Sequence, residues 1–413
     1  MRAEILAVGT ELLLGDILNT NAQYLARELA ALGIEVYYQT VVGDNPKRLE
    51  ETLYHAFSRA DLVITTGGLG PTDDDLTKET AADYFGEKLV LDEKALEQIQ
   101  VIFNRMGKEM TQNNRKQAYV PENNSVVMYN ANGTAPGIII EKNGKIIIML
   151  PGPPKEVVPM FEKQAKPFLA KKQEDTFISR VLRVASVGES AMEAMVKDLI
   201  DAQSNPTIAP YAKEGEALLR ITAKAKDEEE ANRLIDPIAV ALKARLGKSV
   251  YAEGETNMET EVAKLLLAQK KTIAVAESCT GGEIASQLVR YPGISEVFIE
   301  GCVTYSNEAK MKRLGVLAET LVTCGAVSKE TAMEMAEGIA KTAGADIGIA
   351  TTGVAGPEGG TEDKPVGLVY IGLYNKGTVE AKEFHFAGNR NKIRDRATFQ
   401  ALDWLRRKLQ YEK

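Results

Sequence analysis

Three cysteines, two histidines and one tryptophan in 413 residues exclude several chemistries at once. Cys279, Cys302 and Cys324 all fall in the final third, without the paired spacing of a metal site, and read as free thiols. His55 stands in a distant segment and His385 alternates with Phe384 and Phe386 in a strand pattern, so a serine–histidine triad is not expected. No run approaches the roughly 18 uncharged apolar residues of a membrane span. Met1-Arg2-Ala3 leads straight into a strand pattern rather than a signal peptide, so a cytoplasmic location is expected. Basic excess is lacking too: at a net charge of −8, neither nucleic acid nor an anionic membrane is an expected partner. Internal repeats and low-complexity tracts are absent.

What remains is ordinary globular composition, 44% apolar and 26% charged, in a chain too long for one core. Two to three domains are expected. The segment Thr272-Ile-Ala-Val-Ala-Glu-Ser-Cys-Thr-Gly-Gly282 reads as an apolar strand running into Ser278 and a glycine pair, with helical spacing resuming at Ile284. A hydroxyl there would lie beside the amides of Cys279, Thr280, Gly281 and Gly282 and the positive end of a helix, where an oxyanion can be stabilised. The same pattern fits a phosphate cradle or a plain strand-to-helix turn. Downstream, the strand Val297 to Val303 ends in Tyr305 and Lys310, which share a helical face if the helix begins at once. Without histidine, a lysine base with a tyrosine proton relay is the alternative, provided that desolvation lowers the lysine pKa. Spacing alone equally allows a boundary aromatic and a solvated charge.

Ala276-Glu-Ser-Cys-Thr-Gly-Gly282, Tyr305-Ser-Asn-Glu-Ala-Lys310, Thr351-Thr-Gly-Val-Ala-Gly-Pro357 and Lys364-Pro-Val-Gly367 together resemble the C-terminal domain of the CinA family, the nicotinamide-nucleotide amidase called PncC when it stands alone. The resemblance implies hydrolysis of nicotinamide mononucleotide (NMN) to nicotinate mononucleotide and ammonia, without a cofactor. It places the nucleophile on Ser278, the base on Lys310 and the assisting tyrosine on Tyr305. It also puts Asn307, Thr351 and Thr352 against the substrate. Gly353, Gly356, Gly359 and Gly360 permit close backbone approach to a ligand, and Arg390 and Arg394 can add charge for a phosphate; a solvated helix face accounts for the arginines equally well.

The first third alternates strand and helix: Ala3 to Val8, Asn21 to Leu32, Ile34 to Val42, Leu49 to Phe57, Leu62 to Thr66. That alternation predicts a parallel sheet with helices on both faces and a ligand beyond the carboxyl ends of its strands. Polar motifs fall there, Gly9-Thr10-Glu11 and Thr65-Thr-Gly67-Gly68-Leu-Gly70-Pro-Thr-Asp73-Asp74-Asp75. The aspartates are expected to open the helix that runs to Phe85. One or two of them can be ordinary first-turn acids, whereas three beside a glycine loop favour a divalent cation. With Asn114-Arg115-Lys-Gln-Ala118, Gly133-Thr-Ala-Pro-Gly137 and Leu150-Pro-Gly-Pro-Pro-Lys-Glu156, the region resembles the MoaB and MogA fold and, more closely, the amino-terminal domain of CinA proteins. A Gly-Gly-Leu-Gly turn with a triple aspartate departs from the pterin-binding pattern. The resemblance implies metal-dependent ADP-ribose pyrophosphatase activity with Mg2+, Mn2+ or Co2+. Asp75 is the first catalytic candidate, Asp73 and Asp74 share the metal, and Thr10, Glu11, Asp44, Gly67, Gly68, Gly70 and Arg115 bind substrate.

Lys171-Lys-Gln-Glu-Asp175 reads as a linker, and the pattern from Phe177 reads as strand, helix (Ser190 to Asp201), strand (Leu218 to Ala225), helix (Glu228 to Leu246). It resembles the KH-like middle domain of CinA proteins, yet lacks the Gly-x-x-Gly loop that binds nucleic acid. Lys213-Glu-Gly-Glu216 is acidic, so a spacer or dimerisation role is expected, in a homodimer. The expected architecture is α/β throughout: a MoaB/MogA-like parallel-sheet domain at 1–170, a small α+β KH-like domain at 176–252 and an α/β CinA C-terminal amidase domain at 256–413. Two rival readings stay open: one activity with a nucleotide- or pterin-binding front module, and a non-enzymatic accessory protein in competence or recombination.

Overall fold

The computed structural model describes residues 1–172, 176–213 and 215–411, so the linker at 171–175 and the acidic loop at 213–216 lie partly outside the described residues. By contact the chain divides into two compact units, residues 1–178 with 223–233, and residues 179–222 with 234–413. Among the described residues no helix is long and apolar enough to cross a membrane.

In the first unit the apolar runs become buried strands. A six-stranded sheet runs in the order Glu35–Val42, Arg2–Val8, Leu62–Thr66, Lys145–Leu150, Gly137–Lys142, Ser125–Met128. The first four strands are parallel, as the alternation of strand and helix predicts, and the last two are each joined antiparallel to their neighbour. The cause is local. Asn143 and Gly144 both take positive φ, 52° and 72°, and close a two-residue hairpin where a crossover helix would otherwise be needed. Leu25 and Leu29 of the helix Thr20–Ala31 pack on one face with Phe161, while Leu49, Leu53 and Phe57 of Pro46–Arg59 pack on the other. The carboxyl ends of the parallel strands therefore share one edge, which carries Gly9, Asp44, Gly67 and Pro151.

Residues 176–253 form a four-stranded sheet, in the order Thr207–Ala212, Glu216–Ala225, Thr176–Ala185, Val250–Glu253, with helices Glu189–Asp201 and Glu228–Leu246. The strands Thr207–Ala212 and Val250–Glu253 were not expected; they are short and carry little apolar periodicity.

The last segment holds a five-stranded sheet, in the order Phe298–Val303, Ile273–Glu277, Ile347–Gly353, Leu368–Asn375, Thr378–His385. Its first three strands are parallel and its last two antiparallel. Alternation along Ile273–Glu277 sends Ile273 and Val275 to a core with helices Met258–Gln269 and Arg390–Tyr411, and Ala274 and Ala276 to a core with Lys329–Ala343. That last helix lies directly on the sheet, because a Cβ at Gly348 or Gly372 would collide with its carbonyl oxygens at Ala336 and Ala332.

Candidate functional sites

Three parallel strands deliver the carboxyl-terminal constellation. The Ser278 amide donates to the Thr351 carbonyl at 3.0 Å and the Thr304 amide to the Glu277 carbonyl at 2.9 Å, so the strand ends hold Ser278, Thr352 and Thr304 side by side. The helix Asn307–Leu314, capped by Ser306, then carries Lys310 back beneath Ser278. Lys310 is 1% exposed, and its Nζ lies 3.1 Å from Ser278 Oγ, 2.9 Å from the Thr304 carbonyl and 3.2 Å from the Tyr305 carbonyl. No carboxylate pairs with it among the described residues, and burial pulls its pKa below the usual lysine range. Above the pair is a cavity of about 270 Å³ walled by Cys279, Tyr305, Val327, Thr352, Gly353, Gly356 and Arg390.

The neighbours rearrange several expectations. Tyr305 precedes the helix rather than sharing a face with Lys310; it is 62% exposed, and its hydroxyl accepts from Arg390 Nη2 at 3.0 Å. Arg390 also donates to the Gly356 carbonyl at 2.7 Å, which pins it at the rim. Arg394 does not line the cavity. Its guanidinium is taken by the Thr280 carbonyl, at 2.8 and 3.2 Å, and faces Glu283 at 3.6 Å. Asn307 is exposed at the first helical position, outside the cavity lining. Thr351 is buried behind the loop against Thr280, and Thr352 is tied to the Ala326 carbonyl at 2.6 Å. Burial pushes the Cys279 thiol up to about 12, which favours Ser278 over it as nucleophile at neutral pH.

The expected set of free amides and open helix end is also corrected, by a residue the sequence reading passed over. Glu277, 1% exposed, turns its carboxylate onto the amides of Gly282, Ile284 and Ala285, at 2.9, 3.2 and 2.9 Å, and accepts from the Thr280 hydroxyl at 2.6 Å. It thus occupies the start of the helix Glu283–Leu288. With the Gly281 amide bonded to the Ser278 carbonyl, the Cys279 and Thr280 amides are the two of the expected set that no oxygen takes among the described residues, and Cys279 lines the cavity.

In the first unit a cavity of about 380 Å³ opens at the carboxyl edge of the sheet. Glu11, Asp44, Asp74, Asp75 and Glu156 line it with Gly67, Gly68 and Gly70, and among the described residues no lysine or arginine does. Asp44 is oriented by the amide and hydroxyl of Thr10, both at 2.8 Å. The three aspartates do not open a helix; Leu76 is the cap and the helix is Thr77–Phe85. Asp75 instead accepts from the Thr72 amide at 3.0 Å and from its hydroxyl, while Lys116 Nζ binds the carbonyls of Thr72 and Asp75 at 3.1 and 2.6 Å. These contacts fold the acids into a turn. Gly70 leaves space there for the Asp75 carboxylate, which a Cβ would displace from this position. Hydrogen bonding to Thr72 holds the Asp74 carboxyl below its usual range. Asp73 and Arg115 lie outside the lining and are exposed; in the Asn114–Ala118 motif it is Lys116 and the cavity-lining Gln117 that face the acid loop.

Three family models match the chain: the probable molybdopterin binding domain over residues 4–171, the damage-inducible protein CinA KH domain over 179–252 and the CinA C-terminal domain over 255–409. A "Putative competence-damage inducible protein" of Clostridium acetobutylicum is 57% identical over 409 residues, covering 99% of both chains. The "CinA-like protein" of Dictyoglomus turgidum is 58% identical over 409 residues, again covering 99% of both chains. Among solved structures, the competence damage-inducible protein A of Klebsiella pneumoniae is 40% identical, with 38% of this chain and 97% of that one covered at a TM-score of 0.37. With two relatives above half identity along nearly their full length, and three matching domain models in order, the chain belongs to the CinA family.

Proposed function

We propose that the chain is a two-site hydrolase: an amidohydrolase that converts NMN to nicotinate mononucleotide and ammonia around Ser278, and a divalent-metal-dependent ADP-ribose pyrophosphatase at the acidic cavity. The observation that carries the first activity is the 3.1 Å contact between the buried Lys310 Nζ and Ser278 Oγ. A neutral amine has two hydrogens and one lone pair. The carbonyls of Thr304 and Tyr305 take the two hydrogens, which leaves the lone pair facing the serine hydroxyl. Ser278 then attacks the carboxamide carbon as Lys310 accepts its proton, the Cys279 amide meets the oxyanion, and Lys310 returns the proton to the departing ammonia. Water repeats the sequence on the acyl-enzyme. Arg390, steadied by Tyr305 and Gly356, is the group for the nucleotide phosphate.

The reading of a hard cation at the acidic cavity is supported by the five carboxylates that stand in its lining beside Thr72, Gln117 and Thr134. Among the described residues no three acids converge on one point, so Asp75 with Asp74 or Asp44 would hold a metal only together with ligand phosphates, as Mg2+ is commonly held. Such an ion supplies charge neutralisation on the pyrophosphate. Molybdopterin is not proposed, because five acids and no cation line the cavity. Purified protein incubated with NMN should release ammonia, and Ser278→Ala should abolish it. Near-normal ammonia from Ser278→Ala would end the serine mechanism and return attention to Cys279. In parallel, ADP-ribose with Mn2+ should yield AMP.

A further inference from the structure

Glu156 belongs to none of the roles above. It stands in the first turn of the helix Pro154–Met160, is 9% exposed and lines the acidic cavity. One carboxylate oxygen, Oε2, accepts from Asn130 Nδ2 at 2.8 Å; the other accepts from no group among the described residues. Asn130 is itself fixed, its Nδ2 also donating to the Ala135 carbonyl at 2.9 Å and its Oδ1 accepting from the Asn132 amide at 2.9 Å. Gly133 leaves room for the carboxylate, which a Cβ at that position would overlap. A carboxylate gripped on one oxygen and open on the other, in a cavity wall and without a salt-bridge partner among the described residues, is built like an oriented base.

We infer that Glu156 is the general base of the acidic cavity, with Asn130 as its positioning residue, taking the proton of the water that attacks a pyrophosphate phosphorus. The inference rests on the pyrophosphatase reading proposed above. In the step, the water oxygen forms the new P–O bond and its proton passes to Glu156 Oε1. The bridging P–O bond breaks, the second phosphate leaves as an anion to give AMP and ribose 5-phosphate, and Glu156 releases its proton to solvent. Burial raises the Glu156 pKa, opposed by the Asn130 hydrogen bond and by neighbouring Lys155; Glu11, Asp44, Asp74 and Asp75 face it across the cavity. A raised pKa makes the carboxylate a better base while leaving an acid limb to be measured.

The test is AMP release by the full chain from ADP-ribose with Mn2+ across pH, with ADP-ribose affinity followed by calorimetry. Wild type should show kcat rising with pH along one limb. Glu156→Gln should lose on the order of 10²-fold or more in kcat with affinity held, and the limb should vanish. Asn130→Ala, which removes a bond to the charged form, should move the limb to higher pH, a change that a purely structural tether would not produce. If Glu156→Gln fails to fold, Glu156→Asp and Asn130→Ala decide by the limb alone. Normal kcat in Glu156→Gln, or a limb indifferent to these variants, overturns the role of Glu156 and leaves the pyrophosphatase standing. A wild-type protein that releases no AMP overturns both.

Discussion

Lys310 satisfies two main-chain acceptors and one hydroxyl from a single buried nitrogen, and its chemistry turns on whether that nitrogen carries two protons or three. The neutral amine is the active form. Deamidation should therefore rise with pH through the Lys310 pKa, which burial sets below the ordinary lysine value, and fall as the ammonium forms at lower pH. A rate that did not fall on acidification anywhere below the ordinary lysine range would sink the lysine base. Lys310→Arg should be as inactive as Lys310→Ala, since guanidinium does not deprotonate in this range; measurable ammonia from the arginine variant would contradict the mechanism. Tyr305 is a separate case. A proton relay predicts a loss in kcat on the order of 10²-fold for Tyr305→Phe. The phenol's bond to Arg390 instead predicts a raised KM with kcat largely kept, because what is lost is a brace on the phosphate group. Steady-state kinetics on NMN separates the two.

The strand Ile273–Glu277, its following loop and the helix Glu283–Leu288 act as one element through Glu277. Its carboxylate satisfies three amides that the helix start would leave unpaired, and it fixes the Thr280 hydroxyl and so the loop beside Ser278. Glu277→Gln turns an acceptor into a partial donor against those amides. It should cost on the order of 3 kcal/mol of stability in the second unit and lower kcat without altering the pH limb of Lys310. Thermal unfolding with kinetics checks this, and an unchanged midpoint would show that the loop does not depend on the cap. In sequence, Glu277 is simply the residue before the serine, and nothing in its spacing says that it folds forward over the loop. The strand–serine–glycine pattern, by contrast, was readable, because apolar alternation and glycine punctuation are local signals. The triple aspartate shows the limit from the other side. First-turn acids are a sound local expectation, overridden here by Lys116, 41 residues onward in sequence, which grips the carbonyls of Thr72 and Asp75. Arg394 shows the same limit: a helix-borne arginine reads in sequence as ligand-facing or solvated, and only the tertiary fold presents it with the Thr280 carbonyl. Asn143-Gly144, a local hairpin signal, was present and overlooked.

At the scale of the whole chain, the two cavities lie in different compact units, and among the described residues none lines both. Their chemistries differ as well. One is lined by five acids, which under the proposal above would hold a divalent cation only together with ligand phosphates; the other rests on a serine and a lysine. Chelation should therefore divide the activities. EDTA is expected to stop AMP release from ADP-ribose and leave ammonia release from NMN at its starting rate, and readdition of Mn2+ should restore the first. Asp75→Ala should copy the chelator, because the Thr72 amide and hydroxyl hold its carboxylate in the cavity wall where a bridging ion would meet the phosphates. Ser278→Ala should do the reverse. Each variant thus serves as the folding control for the other, since a collapsed protein would lose both signals. If EDTA or Asp75→Ala silenced both reactions in a protein whose unfolding midpoint was unchanged, two independent sites could not stand, and a single metal-dependent centre would have to account for both products.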